Sequence, residues 1–132
     1  MRTIRLLLPL VLVSAWTHAR LDAQAVPDSL PAGVTKGMIG EGKKLFTGAG
    51  LCMACHGMDA RGGGVGPDLT DTVWIHHKGS FDEIVAQVTR GIPADETNSG
   101  AVMPPRGGSS LNDEQIRAVA AYVWSLSRAG KR

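Results

Sequence analysis

Two thiols and an imidazole fall within one short stretch, "LCMACHG" (residues 51–57). Cys52 and Cys55 are the only cysteines of the chain, and His56 follows directly. Cys-x-x-Cys-His is the attachment signature of a c-type haem. The spacing has a physical reason. Two residues between the thiols let one turn of backbone present both sulfurs to the two vinyl groups on one porphyrin edge. Thioether bonds then fix the macrocycle. His56 projects under the ring and can bind iron as the proximal ligand. The expected cofactor is one covalent haem c. Three other chemistries compete. A zinc site needs four ligands, and His76 and His77 lack finger-like spacing from the cysteines. A thioredoxin-type redox pair needs a βαβ setting, which the chain does not offer. A Cys52–Cys55 disulfide would close a tiny loop, stabilise little and leave His56 unexplained.

The iron's other face takes a methionine, a second histidine, or nothing. Met53 and Met58 flank or sit inside the motif and cannot easily cross to the far side. Met38 falls on the apolar stripe of a helix and reads as core. Met103 lies downstream in "AVMPPRG", where Pro104 and Pro105 forbid helix and hold the chain extended. Such a stiff loop can hold a thioether over the ring, and His/Met ligation raises the potential. His76 or His77 is the alternative sixth ligand, although "HHK" reads more simply as solvated. His56 also needs an acceptor for its second nitrogen. The carbonyl of Pro67, eleven residues on in "GPDL", is the expected one, with Gly66 allowing close approach.

Helices and loops must position these groups. A first helix is expected from Thr35 to Thr47, capped by Thr35, with Met38, Ile39, Gly42, Leu45 and Phe46 on one face. Gly42 on that face suggests close approach by another helix. A second helix fits "SFDEIVAQVTRG", with Ser80 and Glu83 as a capping box and Gly91 as its stop. The last is capped by Asn112 and Gln115, and Ile116, Val119, Ala120, Val123 and Leu126 repeat along one face. No segment alternates like a strand. The long Gly/Pro-rich loops between helices are unusual in a small domain unless they wrap something.

The first 25 residues read as a secretory signal. Arg2 and Arg5 precede "LLLPLVLVSAW", which is too short to span a bilayer, and "AQA" ends at Ala25. Ala19 is a second cleavage candidate. An uncleaved leader would act as an anchor. The expected organisation is a signal peptide (1–25), a linker (26–34), one domain (35–128) and a short tail (129–132). An exported, periplasmic location follows. The leader holds three of the 14 basic and one of the 12 acidic residues, which leaves eleven of each. That balance gives no sign of a nucleic-acid footprint or a polybasic membrane patch, although a net count does not speak to local patches. Beyond the leader stand only two Phe, one Tyr and two Trp. A domain this small and this poor in large apolar groups is marginal on apolar burial and often depends on a staple, a metal or a cofactor.

The pieces "EGKKLFTGAGLCMACHG", "GVGPDL", "VMPPRGG" and "LNDEQIRAVAAYVWSLSR" together resemble the class I, monohaem cytochromes c of bacterial periplasmic type. The resemblance covers nearly all of residues 36–128. It implies an all-α cytochrome c fold, a few short helices and Gly/Pro-rich loops around one covalent haem. It implies Cys52 and Cys55 as thioether sites, His56 and Met103 as axial ligands, and the Pro67 carbonyl on His56. The first and last helices would cross, with Gly42 and Phe46 meeting Val119 and Tyr122. The segment from Trp74 to Thr97 departs from the short mitochondrial-like pattern, which leaves the haem-propionate contacts open. Trp74 and Arg106 are candidates for them.

Iron with both axial positions filled has nowhere to bind a substrate. Its use is to pass one electron between redox partner proteins. Asp82, Glu83, Asp95 and Glu96 read as solvated charges, and no acid–base or nucleophile constellation competes. The expectation is an electron carrier rather than an enzyme. Two alternatives stand beside a free carrier. One is an obligate haem subunit of a periplasmic or membrane oxidoreductase, with membrane contact only through the leader or the complex. The other is a sensor or enzyme with a labile sixth ligand.

Overall fold

Each of the three expected helices begins at the cap its sequence provides. The computed structural model describes residues 29–98 and 100–129; the expected signal peptide, the start of the linker and the last three residues lie outside them. Helix α1 (Lys36–Thr47) starts where the extended Thr35 accepts the Met38 N–H on its hydroxyl at 3.1 Å. A single turn, α2 (Met53–His56), carries the motif. Helix α3 (Phe81–Arg90) has the full capping box. Ser80 Oγ accepts from Glu83 N at 3.3 Å, and Glu83 Oε2 accepts from Ser80 N at 2.9 Å. Helix α4 (Asp113–Ala129) has the same reciprocal pair between Asn112 and Gln115, at 2.9 and 3.0 Å. Such caps contribute about 1 kcal/mol each. Two 3₁₀ turns, Ala94–Glu96 and Pro105–Gly108, complete the set. The fold is all-α.

Helix α1 packs on α4, and α3 packs on α4 and on the Pro105–Gly108 turn. Phe46, Ile116 and Val119 are almost fully buried between them. The Phe46 ring meets Tyr122 edge-on, with centroids 5.5 Å apart. Gly42 is where the two helices touch most closely. A Cβ added there would overlap the Ala118 carbonyl and come 2.9 Å from Tyr122 Cβ. Close approach is therefore the reason for this glycine, although its nearest neighbours are Ala118 and Tyr122 rather than Val119.

The second close approach sets the Met103 loop. Helix α3 ends at Gly91, whose φ of +74° favours glycine. A Cβ on Gly91 would overlap the Met103 carbonyl and crowd Pro104 and Pro105. Next to it, Ile92 and Met103 exchange both backbone hydrogen bonds, at 2.8 and 3.0 Å. Pro104 is extended, as expected. Pro105 instead opens a 3₁₀ turn, because a missing N–H is harmless at a first helical position. Among the described residues, no helix is long and apolar enough to cross a membrane.

These contacts predict opposite outcomes for two glycines of α1. Gly42→Ala forces the crossing apart and costs roughly 1–3 kcal/mol, seen as a lower melting temperature. Gly40 has nothing within 4 Å of its built Cβ. Gly40→Ala is therefore neutral or stabilising by about 0.5–1 kcal/mol. Equal melting temperatures for the two variants would contradict this packing.

Candidate functional site

The chain reaches the motif through a tight reversal. Gly50 N bonds to Leu45 O at 2.8 Å, and Leu51 takes a left-handed φ of 59°. The next residues then wind into α2, with His56 N on Cys52 O at 3.0 Å. One turn of backbone therefore carries Cys52, Cys55 and His56. All three line the same cavity, of about 360 Å³, a size ordinary for a cofactor site. The two are not joined in a disulfide. Burial pushes the Cys52 thiol's pKa up, a hydrogen bond with its own backbone opposes this, and Cys55 adds to the rise.

The glycine-rich segment after the motif closes back on it. Gly62 N bonds to His56 O at 2.8 Å, and Gly66 N to Cys55 O at 3.1 Å. This brings Pro67 O to 3.0 Å from His56 Nδ1. The close approach needs Gly66. A Cβ there would sit 2.9 Å from both His56 Nδ1 and Cys55 O. Burial pushes the His56 imidazole's pKa down, and the Pro67 bond only partly offsets that. The ring is neutral at pH 7, the form that can donate a lone pair to a metal. With Nδ1–H donated to Pro67, Nε2 is the nitrogen left for that task.

The other walls come from far along the chain. Ile84 and Val88 of α3, Ile92, and Val119 and Val123 of α4 make them apolar. Met103 reaches the same cavity from its bridge to Ile92. Met38 and Met53 pack against the core instead, and Met58 is 65% exposed. Trp74 also lines the cavity while packing partly on the core.

Arg106 does not line it. Its own φ is 55°, and its guanidinium turns away to Leu111 O at 2.8 Å and Asp113 Oδ1 at 2.6 Å. It braces the turn after Met103 against the start of α4. The histidine pair divides. His76 is exposed, but the His77 side chain is largely buried and stacks on Trp74 at 4.7 Å. Reading "HHK" as solvated thus holds for His76 and fails for His77, whose ring gains more from Trp74 than from water.

The lining residues fit a covalent haem on their chemistry. Two thiols and a neutral imidazole occupy one wall, a thioether lies in the same cavity, and Ile84, Val88, Ile92, Val119 and Val123 add an aliphatic surface. Gly50 and Gly66 remove side chains where they would crowd Cys52 Sγ, at 3.3 Å, and His56 Nδ1.

The comparisons with known proteins agree with this chemistry. Residues 39–127 match the family model described as "Cytochrome c". The chain is 40% identical over 88 residues to the cbb3-type cytochrome c oxidase subunit CcoP of Rubrivivax gelatinosus. That match covers 67% of this chain and 26% of the relative. It is 40% identical over 77 residues to the subunit FixPc of Rhizobium leguminosarum bv. viciae, covering 58% and 26%. The chain thus spans about a quarter of the length of the curated relatives it matches. Among solved structures, cytochrome cL of Methylophaga aminisulfidivorans superposes with a TM-score of 0.54 at 23% identity. It covers 68% of this chain and 53% of that one, and the likeness speaks for the fold. With its family match running through the Cys52–His56 motif, the chain belongs to the cytochrome c family, whose cofactor is a covalently attached c-type haem.

Proposed function

We propose that this chain is a one-electron transfer domain that works as the haem-bearing part of a cytochrome c oxidase complex of the cbb3 type. One observation carries the electron-transfer reading: the motif turn and Met103 line one apolar cavity. When bound, the haem supplies an iron that alternates between ferric and ferrous states. Cys52 and Cys55 would hold it through thioether bonds. His56 would ligate the iron through Nε2, with Pro67 O keeping the imidazole from rotating by accepting its Nδ1–H. Met103 would provide the other ligand, held by the Ile92 bridge and the stiff Pro104–Pro105 pair. The aliphatic walls exclude water and, with the thioether, favour the ferrous state. Trp74 borders the site.

The sequence alone favoured a free periplasmic carrier. The likeness to oxidase subunits supports the subunit reading more strongly, and the same electron-transfer chemistry serves both. With Met103 as the sixth ligand the iron would keep no open position, which speaks against a sensor or an enzyme acting at the iron.

Two measurements test this proposal. Met103→Ala should abolish the weak far-red sulfur-to-iron band of the ferric protein, lower the midpoint potential and open the ferrous iron to carbon monoxide. A far-red band that survives the substitution overturns the ligand assignment. Isolated gently from its native host, the protein should co-elute with other oxidase subunits. Elution as a lone cytochrome, with the oxidase intact elsewhere, would restore the free-carrier reading.

A further inference from the structure

His77 is a cavity-lining group that the ligand set leaves unused. Its side chain is only 9% exposed. The ring lies on Trp74, inclined by 30°. Its Nδ1 accepts the Gly79 N–H at 2.9 Å. In the neutral ring the proton must then sit on Nε2. Glu83 Oε2 stands 4.0 Å from the same Nδ1. One corner of the ring is therefore committed to the start of α3, and Nε2–H is the donor that remains.

The cavity has a charge to answer. A c-type haem carries two carboxylates, and a partly buried carboxylate needs donors or a cation. Among the described lining residues there is no lysine or arginine. Arg106 spends its guanidinium on Leu111 and Asp113. Asp68 is anionic, His56 is bound to Pro67, and His76 is exposed. Gln87, Thr97 and Asn98 can donate hydrogen bonds but cannot gain charge. His77 is the sheltered group that can do both.

We propose that His77 is a haem contact of this chain: its Nε2–H donates to a haem carboxylate, and proton uptake at Nδ1 ties the reduction potential to pH. The inference rests on the covalent haem of the family, and neither on Met103 nor on a partner. Protonation would turn Nδ1 from the Gly79 N–H toward the Glu83 carboxylate. That carboxylate is held acidic by the Ser80 N–H and hydroxyl. Burial and neighbouring His76 oppose the charge on His77, and Glu83 favours it. Lys78 is exposed, and Arg128 of α4 reaches the Gly79 carbonyl at 3.4 Å. On reduction, one electron arrives at the iron from the redox donor and a proton from solvent binds Nδ1; both leave on oxidation. A positive His77 favours the less positive ferrous iron. The potential is therefore higher below the His77 pKa than above it, and that pKa is higher in the ferrous protein.

Redox titrations from roughly pH 5 to pH 8 test this, spanning where a histidine titrates. The holoprotein should lose potential as pH rises. His77→Gln keeps an acceptor for the Gly79 N–H and should retain the haem with a nearly flat profile over this range. His76→Gln should behave like the native protein. NMR titration of the native protein should give His77 a higher pKa in the ferrous than in the ferric state, which decides the matter even if His77→Gln fails to load haem. A native slope in His77→Gln, a slope lost only in His76→Gln, or one pKa in both oxidation states overturns the proposal. Absence of any haem band would instead be a failure of the electron-transfer reading.

Discussion

A domain of about a hundred residues with two Phe, one Tyr and two Trp beyond its first 25 residues has little apolar bulk with which to fill an interior of its own. The haem is the missing interior. The helices are accordingly arranged around a cavity rather than closed over one another. Helices α1 and α4 cross tightly at Gly42, and that crossing places Phe46, Val119 and Val123 along the cavity. Helix α3 adds Ile84 and Val88 from the other side. The loops too long for an ordinary compact domain line this cavity. They hold the Pro67 carbonyl, Trp74, His77 and Met103.

Covalent attachment also explains how small contacts can suffice. A ligand tied by two thioethers loses little further freedom when the remaining groups bind it, so weak contacts become effective. The Pro67 bond need only orient an imidazole that is already adjacent. The two Ile92–Met103 hydrogen bonds need only hold a loop whose prolines have removed most of its alternatives. Gly66 and Gly91 serve the same end, since each lets backbone approach where a side chain would force it away.

Much of this was legible from residue types. The caps at Thr35, Ser80 and Asn112 are local signals with one physical meaning, and each helix begins there. The Cys52–Cys55–His56 spacing carries its chemistry in one turn, and a carbonyl eleven residues on stands where the histidine needs it. What is not legible depends on how the chain folds back on itself, which residue types alone do not encode. Gly42 signalled close approach, but only the crossing angle decides that Ala118 lies beneath it. Arg106 is a candidate haem contact by its place after Met103, and only the fold shows its guanidinium on Leu111 and Asp113. His77 looked like half of a solvated pair. Its burial comes from stacking on Trp74, three residues back, and no periodic pattern announces that. The Ile92–Met103 bridge is too short to leave an alternating signature.

The most direct test of the account is the intact mass and colour of the protein made in a host with haem-maturation machinery. The account predicts a red polypeptide heavier by one haem, with the colour retained after denaturation and acidic organic extraction. A folded, colourless chain at the mass of the bare polypeptide would contradict it.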